Sequence, residues 1–443
     1  MLELQATPPN RKAMSSNYNT SSSNYLRILR TGTGRSASLP LATGRVAART
    51  KFVRGAVKFF LLRRFILCLI FLSFLPAPLL AQEPTPLPTS LWGSVERIAH
   101  AEQANPPAFA ITRNSLGREL FTFAWITADR GGVRQSMRHI EDGALTHSFD
   151  LTLPPLRPRD QRLFPAPENQ VHLLWIDDDE VTRIPSLFSA LVRPNGEIAR
   201  GPIPISEGGV YEYSAAPMPD GSLWVAWAGD PISEPTLYLR RIDFDGRPAL
   251  SIRAAANAAH PALVGLADGA LLAFWIDMDG GTLRGARYAE GVRLELNALA
   301  PTVSLNAGDR LLDVRASVDS THAYVFWNID RQGMRESWFA SGEIGAPAWE
   351  PPTRINGYWG VTPASGDFTA TLAASAVNVE SGALTVLTFA RGQLVGSESV
   401  VRLNKGESVI SPPALYIAQS RRCLLWSSPD PFAPAALYMT QDS

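Results

Sequence analysis

Cysteine is nearly missing: Cys68 and Cys423 are the only two in 443 residues. Cys68 lies in a segment expected to be removed on export, so no internal disulfide remains to staple the body, and stability has to come from packing. Long apolar runs are lacking too. The longest, Phe65–Leu75, falls short of the about 20 residues that a membrane-spanning helix needs. No stretch has the period of a long amphipathic helix. H-E-x-x-H, G-x-S-x-G and phosphate-loop patterns are absent, and the six histidines (His100, His139, His147, His172, His260, His322) show no metal-ligand spacing. Acidic residues are scarce at one end only: the first 81 residues hold 12 of the 41 Lys+Arg but one of the 41 Asp+Glu. The remainder is left with 29 basic against 40 acidic residues, a sign that repels nucleic acid and anionic lipid.

What is present is a chain that can bury a large core, with 45% hydrophobic and 19% charged residues. Residues 1–54 are rich in Ser, Thr, Asn and Arg without apolar periodicity and read as a disordered basic tail. Residues 55–81 have the layout of a secretory signal peptide: Arg63 and Arg64, the apolar Phe65–Leu75, then a small residue, Ala81, before the cut. The long leader before it is consistent with a true start near Val53 or Val57. An uncleaved signal anchor is the alternative, and it too leaves the body outside the cytoplasm. The expected location is secreted or cell-surface. Residues 82–90 (Gln82-Glu-Pro-Thr-Pro-Leu-Pro-Thr89 and Ser90) read as a Pro-rich linker.

Residues 91–443 are dominated by a repeat. An aromatic closes a short apolar strand at Trp125, Trp175, Trp227, Trp275, Trp327, Phe389 and Trp426, with successive gaps of 50, 52, 48, 52, 62 and 37. Turn signals precede the markers (Asp220-Gly221, Asp268-Gly269, Gly382) and follow them (Asp142-Gly143, Asn195-Gly196, Asp245-Gly246, Glu290-Gly291). Strands opening Pro107-Ala-Phe109, Pro261-Ala-Leu263 and Pro413-Ala-Leu415 lie ahead of the first turn, where Pro costs no ladder bond. Four antiparallel strands in about fifty residues make one propeller blade. The expectation is an all-β chain forming a single β-propeller of seven four-stranded blades, with six as the alternative. The last repeat is one strand short and Leu91–Ala99 is one strand in surplus, so the two ends would share a blade and close the ring.

Each marker ring would bury about 150–250 Å², worth about 4–6 kcal/mol as an upper bound, and reads as core. An acidic residue follows most markers within two to four positions: Asp129, Asp177, Asp230, Asp277, Asp330 and Asp430. In propeller geometry these loops share a face with the connections between blades, so the carboxylates form a candidate rim around the channel mouth. The local alternative is that each closes its own turn on a backbone N–H. Asp177-Asp-Asp-Glu180, Asp243-Phe-Asp245-Gly246 and Asp277-Met-Asp279-Gly280 lack the twelve-residue calcium-loop spacing. No cofactor is expected, with calcium in a blade loop as the exception, and the metal question is open. The gap of 62 reads as an insertion carrying Trp349, Arg354, Tyr358 and Trp359, a candidate platform for stacking on sugars or flat ligands.

The repeat resembles bacterial secreted β-propellers of the sialidase-like superfamily, over about 350 residues and in pattern only. Arg183-Ile184-Pro185 repeats the letters of that family's Arg-Ile-Pro motif, whose Arg clamps a carboxylate, but it stands in the second repeat rather than the first. The Asp-box Ser-x-Asp-x-Gly-x-Thr-Trp is absent. The resemblance implies the fold. For function the sequence puts first an exported module that binds or scaffolds a saccharide, peptide or protein partner as a monomer, without nucleic acid or membrane partners. The alternative is a glycan-processing hydrolase of sialidase-like type, with Tyr211 or Tyr213 and the Asp rim as its parts. Catalysis is left open, with the balance toward none.

Overall fold

The computed structural model describes residues 85–86, 92–101, 108–113, 116–129, 132–141, 144–151, 157–229, 235–279, 281–289, 292–296, 308–346, 349–366, 370–403, 408–418, 421–429 and 435–442. The expected tail and signal peptide, and with them Cys68, lie outside these. Among the described residues there is no helix; every regular element is a strand, and they assemble into seven sheets, each a four-stranded antiparallel blade at its core. The ring therefore has seven blades, not six.

The second blade shows the pattern. Arg159–Pro165 is innermost, followed by Val171–Asp178, Pro185–Val192 and Ile198–Pro204. The third repeats it with Val210–Pro217, Leu223–Gly229, Thr236–Ile242 and Ile252–Ala255. Blades one, four, five, six and seven begin at Ala108–Arg113, Ala258–Gly265, Asp309–Val318, Tyr358–Pro363 and Ala414–Ala418. The expected turns form as hairpins. In Met218-Pro-Asp-Gly-Ser222 the Gly221 N–H donates to Met218 O at 2.9 Å and the Met218 N–H to Ser222 O at 2.9 Å. Gly221 has φ +80, and a Cβ there would meet Pro167 Cγ at 2.7 Å, so the turn requires glycine.

The core is divided between the blades. Seven buried clusters fill the seven gaps between neighbouring sheets. Each marker ring packs into the layer it shares with the preceding blade: Trp175 with Ala108, Ala110 and Met137 of blade one, Trp227 with Leu174, Ile176 and Leu187 of blade two. This explains why the rings recur. A sheet with two apolar faces has nothing to bury them against except its neighbours, and the indole is large enough to span the gap.

Two expectations are corrected in blade six. Phe389 lies on the third strand, Ala383–Ala390, and not on the second. The second strand is Leu372–Asn378, and its residue facing the preceding blade at the marker level is Ala376, 49 residues after Trp327 and 50 before Trp426. The period was never broken. The supposed insertion is ordinary repeat: Thr353–Arg354 is the outermost strand of blade five and Tyr358–Pro363 the innermost of blade six. With alanine in place of an indole, the layer between blades five and six is filled by Tyr324, Phe326, Phe339 and Phe389, the last standing edge-on to Phe326 with centroids 5.2 Å apart.

The ring closes through its N-terminal segment. Glu96–Ala101 forms the outermost strand of blade seven, antiparallel to Ala435–Gln441, as expected although a few residues later than Leu91. Trp92 bridges to Asp442 ahead of it. Thr85–Pro86, inside the Pro-rich linker, adds an edge strand to blade six against Gln393–Arg402, a position where Pro is tolerated.

Candidate functional site

In blades one to six the turns joining strands one to two and three to four lie at one end. The turns joining strands two to three, and the connections between blades, lie at the other. This second end, the loop face, was expected to carry the acidic rim. Asp230 and Asp430 lie outside the described residues, and Asp129 ends its strand opposite Gly132. The other three are engaged locally. Asp330 accepts the Gly333 N–H at 2.7 Å. Asp277 accepts the Asp279 N–H at 3.1 Å and sits 3.5 Å from Arg284. Asp177, buried at the end of its strand, accepts the backbone N–H groups of Arg157 and Asp178 at 2.6 and 2.8 Å. In blade six Asn378 does the same work, accepting from the N–H groups of Glu380 and Ser381. The described turns of blades two, four, five and six also expose apolar residues, Val181, Ile184, Met278, Met334 and Val379, and Tyr211 is exposed as well.

Trp349 and Trp359 are not brought together. Trp349 packs edge-on to Phe274 in the layer between blades four and five. Trp359 packs in the layer between blades six and seven, under the Arg335 guanidinium at 4.3 Å. Arg354 pairs with Glu336 at 3.0 Å on the outer edge of blade five, and Tyr358 packs against the layer between blades five and six. A flat platform needs the two indoles side by side, and the corrected phase of the repeat assigns them to different gaps.

The innermost strands surround a central cavity of about 510 Å³ to which all seven blades contribute. Its composition follows a simple rule. On each inner strand one residue is paired with the position just before the marker, and these are Ala108, Arg162, Ser214, Ala262, Arg315, Thr362 and Ala414. All of these but Ala262 line the cavity: alanines leave the space open on blades one and seven, blades two and five project guanidiniums, and Arg113 of blade one lines it as well. Toward the loop face the inner strands of blades two to six all break register, between Arg159 and Arg162, Val210 and Glu212, Ala259 and Ala262, Leu311 and Asp313, and Trp359 and Thr362. Bulges of this kind re-aim side chains. Asp160 (φ 46) and His260 (φ 53) sit in the left-handed region within them, with Gly360 (φ 67) in the same place in blade six. Two non-glycine residues thus hold a costly backbone at one channel mouth.

The bulged residues and the two arginines form one polar cluster. Arg162 reaches Asp160 at 3.1 Å and lies over the Tyr213 ring at 4.5 Å; Arg315 reaches Asp313 at 3.1 Å. Burial works against the charge on Arg162, but Asp160 first and Asp313 as well outweigh it and hold its pKa above the ordinary guanidinium value. Since Asp313 belongs to blade five and Arg162 to blade two, the two pairs face a common space. Glu212 accepts the His260 backbone N–H at 2.6 Å, and the His260 Nδ1 stands 2.8 Å from its other oxygen, close enough for an ion pair but poorly angled for a hydrogen bond. Burial would raise the Glu212 pKa, yet His260 and Arg162 leave it below the usual carboxylate value. Tyr416 lines the cavity from blade seven; burial pushes its phenol up, against the opposing pull of Arg315 and Arg162.

Tyr213 is a strut. It is buried, its hydroxyl donates to the carbonyl oxygens of Asp160 and Leu174, and burial raises its pKa well above the ordinary phenol. Arg183-Ile184-Pro185 is part of a blade-two turn, where the Arg183 N–H closes on Asp179 O at 2.9 Å, away from the inner strands. The channel cluster was missed because Asp and Arg are common residues. The readable signal lay in the strands opening Pro107-Ala, Pro261-Ala and Pro413-Ala: blades two, three and five carry Gln161-Arg162, Tyr213-Ser214 and Val314-Arg315 at the same level. Among the described residues no group of three or more His, Cys, Asp or Glu side chains could hold a metal ion. Cys423 is buried between blades seven and one, and burial pushes its thiol up.

No protein-family model and no curated protein matches the chain. Among solved structures it is similar to the polysaccharide lyase Uly1, at 9% identity over 84% of this chain and 95% of that one, with a TM-score of 0.51. It is similar also to the fucose-specific lectin from Aleuria aurantia (12% identity, 69% and 98% covered, TM-score 0.41) and to Trypanosoma rangeli sialidase (12%, 82% and 58%, TM-score 0.40). At such identities the likeness extends to the propeller fold alone.

Proposed function

We propose that this chain is an exported β-propeller that binds a saccharide, peptide or protein ligand at the loop-face mouth of its central channel. The observation that carries the reading is the bulged mouth itself. Five inner strands abandon regular pairing there, and two non-glycine residues adopt the left-handed region at the point where Asp160, Arg162, Glu212, His260, Asp313 and Arg315 meet. A ring built only for stability has no need to break pairing at the same level of five inner strands or to gather charged side chains there. Export rests on the sequence of residues 55–81, and action as a monomer rests on the self-closed ring.

Binding is favoured over hydrolysis because Tyr213 is committed to backbone carbonyls and the three arginines lining the cavity are each paired, Arg162 with Asp160, Arg315 with Asp313 and Arg113 with Glu119. The test pairs an array of immobilised glycans and peptides with a panel of fluorogenic glycosides, both using the purified protein. Saturable binding without turnover is expected. Turnover of a glycoside that is lost in Glu212→Gln would replace this reading with the hydrolase.

A further inference from the structure

We infer that the channel mouth takes the end of an uncharged saccharide and recognises its vicinal hydroxyls through two aspartate–arginine couples. This rests on the binding reading above and narrows it to one ligand chemistry.

Asp160 with Arg162 and Asp313 with Arg315 repeat one device on two blades. In each, a carboxylate and a guanidinium two residues apart on an inner strand stand about one hydrogen-bond length apart. An acceptor fixed beside a donor matches a vicinal diol, whose adjacent hydroxyls each donate and accept. Arg162 engages Asp160 through Nε and Nη2, and Arg315 engages Asp313 through Nε. Among the described residues no hydrogen bond engages Nη1 of Arg162 or the terminal nitrogens of Arg315, so these can serve a ligand, as can further lone pairs on the carboxylates. The couples are held in place. Arg162 rests on the Tyr213 ring, and Asp313 accepts from the Asn328 side-chain amide at 2.6 Å. Ser214, Thr362 and Tyr416 add neutral hydroxyls to the cavity that Asp160, Arg162 and Arg315 line.

The pairing of the charges disfavours the opposite ligand. The three arginines that line the cavity, Arg113, Arg162 and Arg315, are each held by a carboxylate, Glu119, Asp160 and Asp313, and Glu212 stands beside His260. An anionic sugar would have to displace an aspartate from its arginine while entering among the other carboxylates. The loss of each internal ion pair would cancel what the new one gains. A neutral polyol bridges both members of a couple without separating them.

The probes are immobilised neutral oligosaccharides ending in hexose or deoxyhexose, the same set bearing sialic or uronic acid ends, and each neutral glycan after mild periodate cleavage of its vicinal diols. Wild type, Asp160→Asn and Asp313→Asn are compared as purified full chains, with thermal melting as the control for folding. The expected result is neutral-glycan binding that falls at least about tenfold on periodate treatment and at least about tenfold in each variant, corresponding to loss of one charged hydrogen-bonded contact. Because the two couples lie on different blades, a folding defect in one variant leaves the other as the test. Preference for the acidic set overturns the ligand class while keeping the binding reading. Unchanged affinity in both folded variants overturns the site. Peptide binding with no glycan bound overturns this inference alone, and glycoside turnover overturns the reading on which it rests.

Discussion

The side-chain amide of Asn328 donates to Asp313 Oδ1 at 2.6 Å while its own oxygen accepts the Val361 N–H at 3.2 Å. One buried residue therefore ties blade five to blade six and fixes a carboxylate of the channel mouth. Asn328 directly follows Trp327, where blades one, two and four carry Ile126, Ile176 and Ile276 after their own tryptophans.

Replacing Asn328 by the isoleucine of those blades tests what the exception is for. Asn328→Ile leaves the Val361 N–H and one Asp313 oxygen without this partner, and each unsatisfied buried group costs about 1–3 kcal/mol. The expected outcome is a denaturant midpoint lowered by about 2–4 kcal/mol of stability with an unchanged slope. A variant as stable as wild type would show that water or a neighbouring donor replaces the amide.

Acid sensitivity should trace in part to His172. Its ring is fully buried on the second strand of blade two, neither nitrogen makes a well-formed hydrogen bond, and burial pushes its pKa down to about 4. The unfolded chain takes up a proton near pH 6.5 and the folded chain only near pH 4. Stability is then full above pH 6.5 and is lost as pH falls between the two, by up to roughly 3 kcal/mol. His172→Leu should flatten the change in urea midpoint between pH 7 and pH 4.5. An identical slope in the variant would assign the acid response to other groups.

Much of the fold was legible because a propeller repeats its constraints. Each blade must bury two faces, so Trp125, Trp175, Trp227, Trp275, Trp327 and Trp426 mark their layers at an even period, and Asp-Gly turns mark the hairpins. The phase slipped only in blade six. There Ala376 holds the marker position and Phe389 fills the layer from the next strand, and an alanine among apolar residues carries no local signal.

The site was less legible for a different reason. Rim aspartates such as Asp330 are conspicuous in sequence but are spent on the N–H groups of their own turns. The residues that converge in the channel are distributed one or two per blade, about fifty positions apart. Arg162 and Arg315 become comparable only once each inner strand is aligned on its tryptophan, and the bulges that aim Asp160 and His260 arise from backbone geometry that no residue letter announces.

The corrected phase makes its own forecast. Phe389→Ala removes the ring that stands edge-on to both Phe326 and Phe339, and should cost about 3–5 kcal/mol. Ala376→Trp supplies the indole that the period calls for, into a layer already filled from the third strand, and should destabilise by at least about 1–3 kcal/mol through overpacking. Combining the two should recover part of both losses, since the space vacated by one is the space required by the other. Strict additivity in thermal or denaturant unfolding would show that the two side chains do not compete for one gap.

Ring closure can be tested at Trp92. Its indole N–H donates to Glu398 of blade six at 3.1 Å, the Arg422 guanidinium of blade seven covers it at 4.9 Å, and it is 4% exposed. The following Gly93 exchanges bonds with blade seven, donating to Gln441 O at 2.7 Å and accepting from the Thr440 hydroxyl at 3.0 Å. Trp92→Ala should cost about 3–5 kcal/mol as an aromatic deleted from a packed layer. Removing residues 1–101 goes further, because it strips Glu96–Ala101 from the Ala435–Gln441 edge and leaves a full row of unpaired backbone groups that invites edge-to-edge pairing. The truncated chain should associate with rising concentration in size-exclusion chromatography, whereas Trp92→Ala, which keeps the strand, should stay monomeric though less stable. A truncated chain that remains monomeric and melts with the full-length protein would mean that the seven layers hold the ring without its N-terminal clasp.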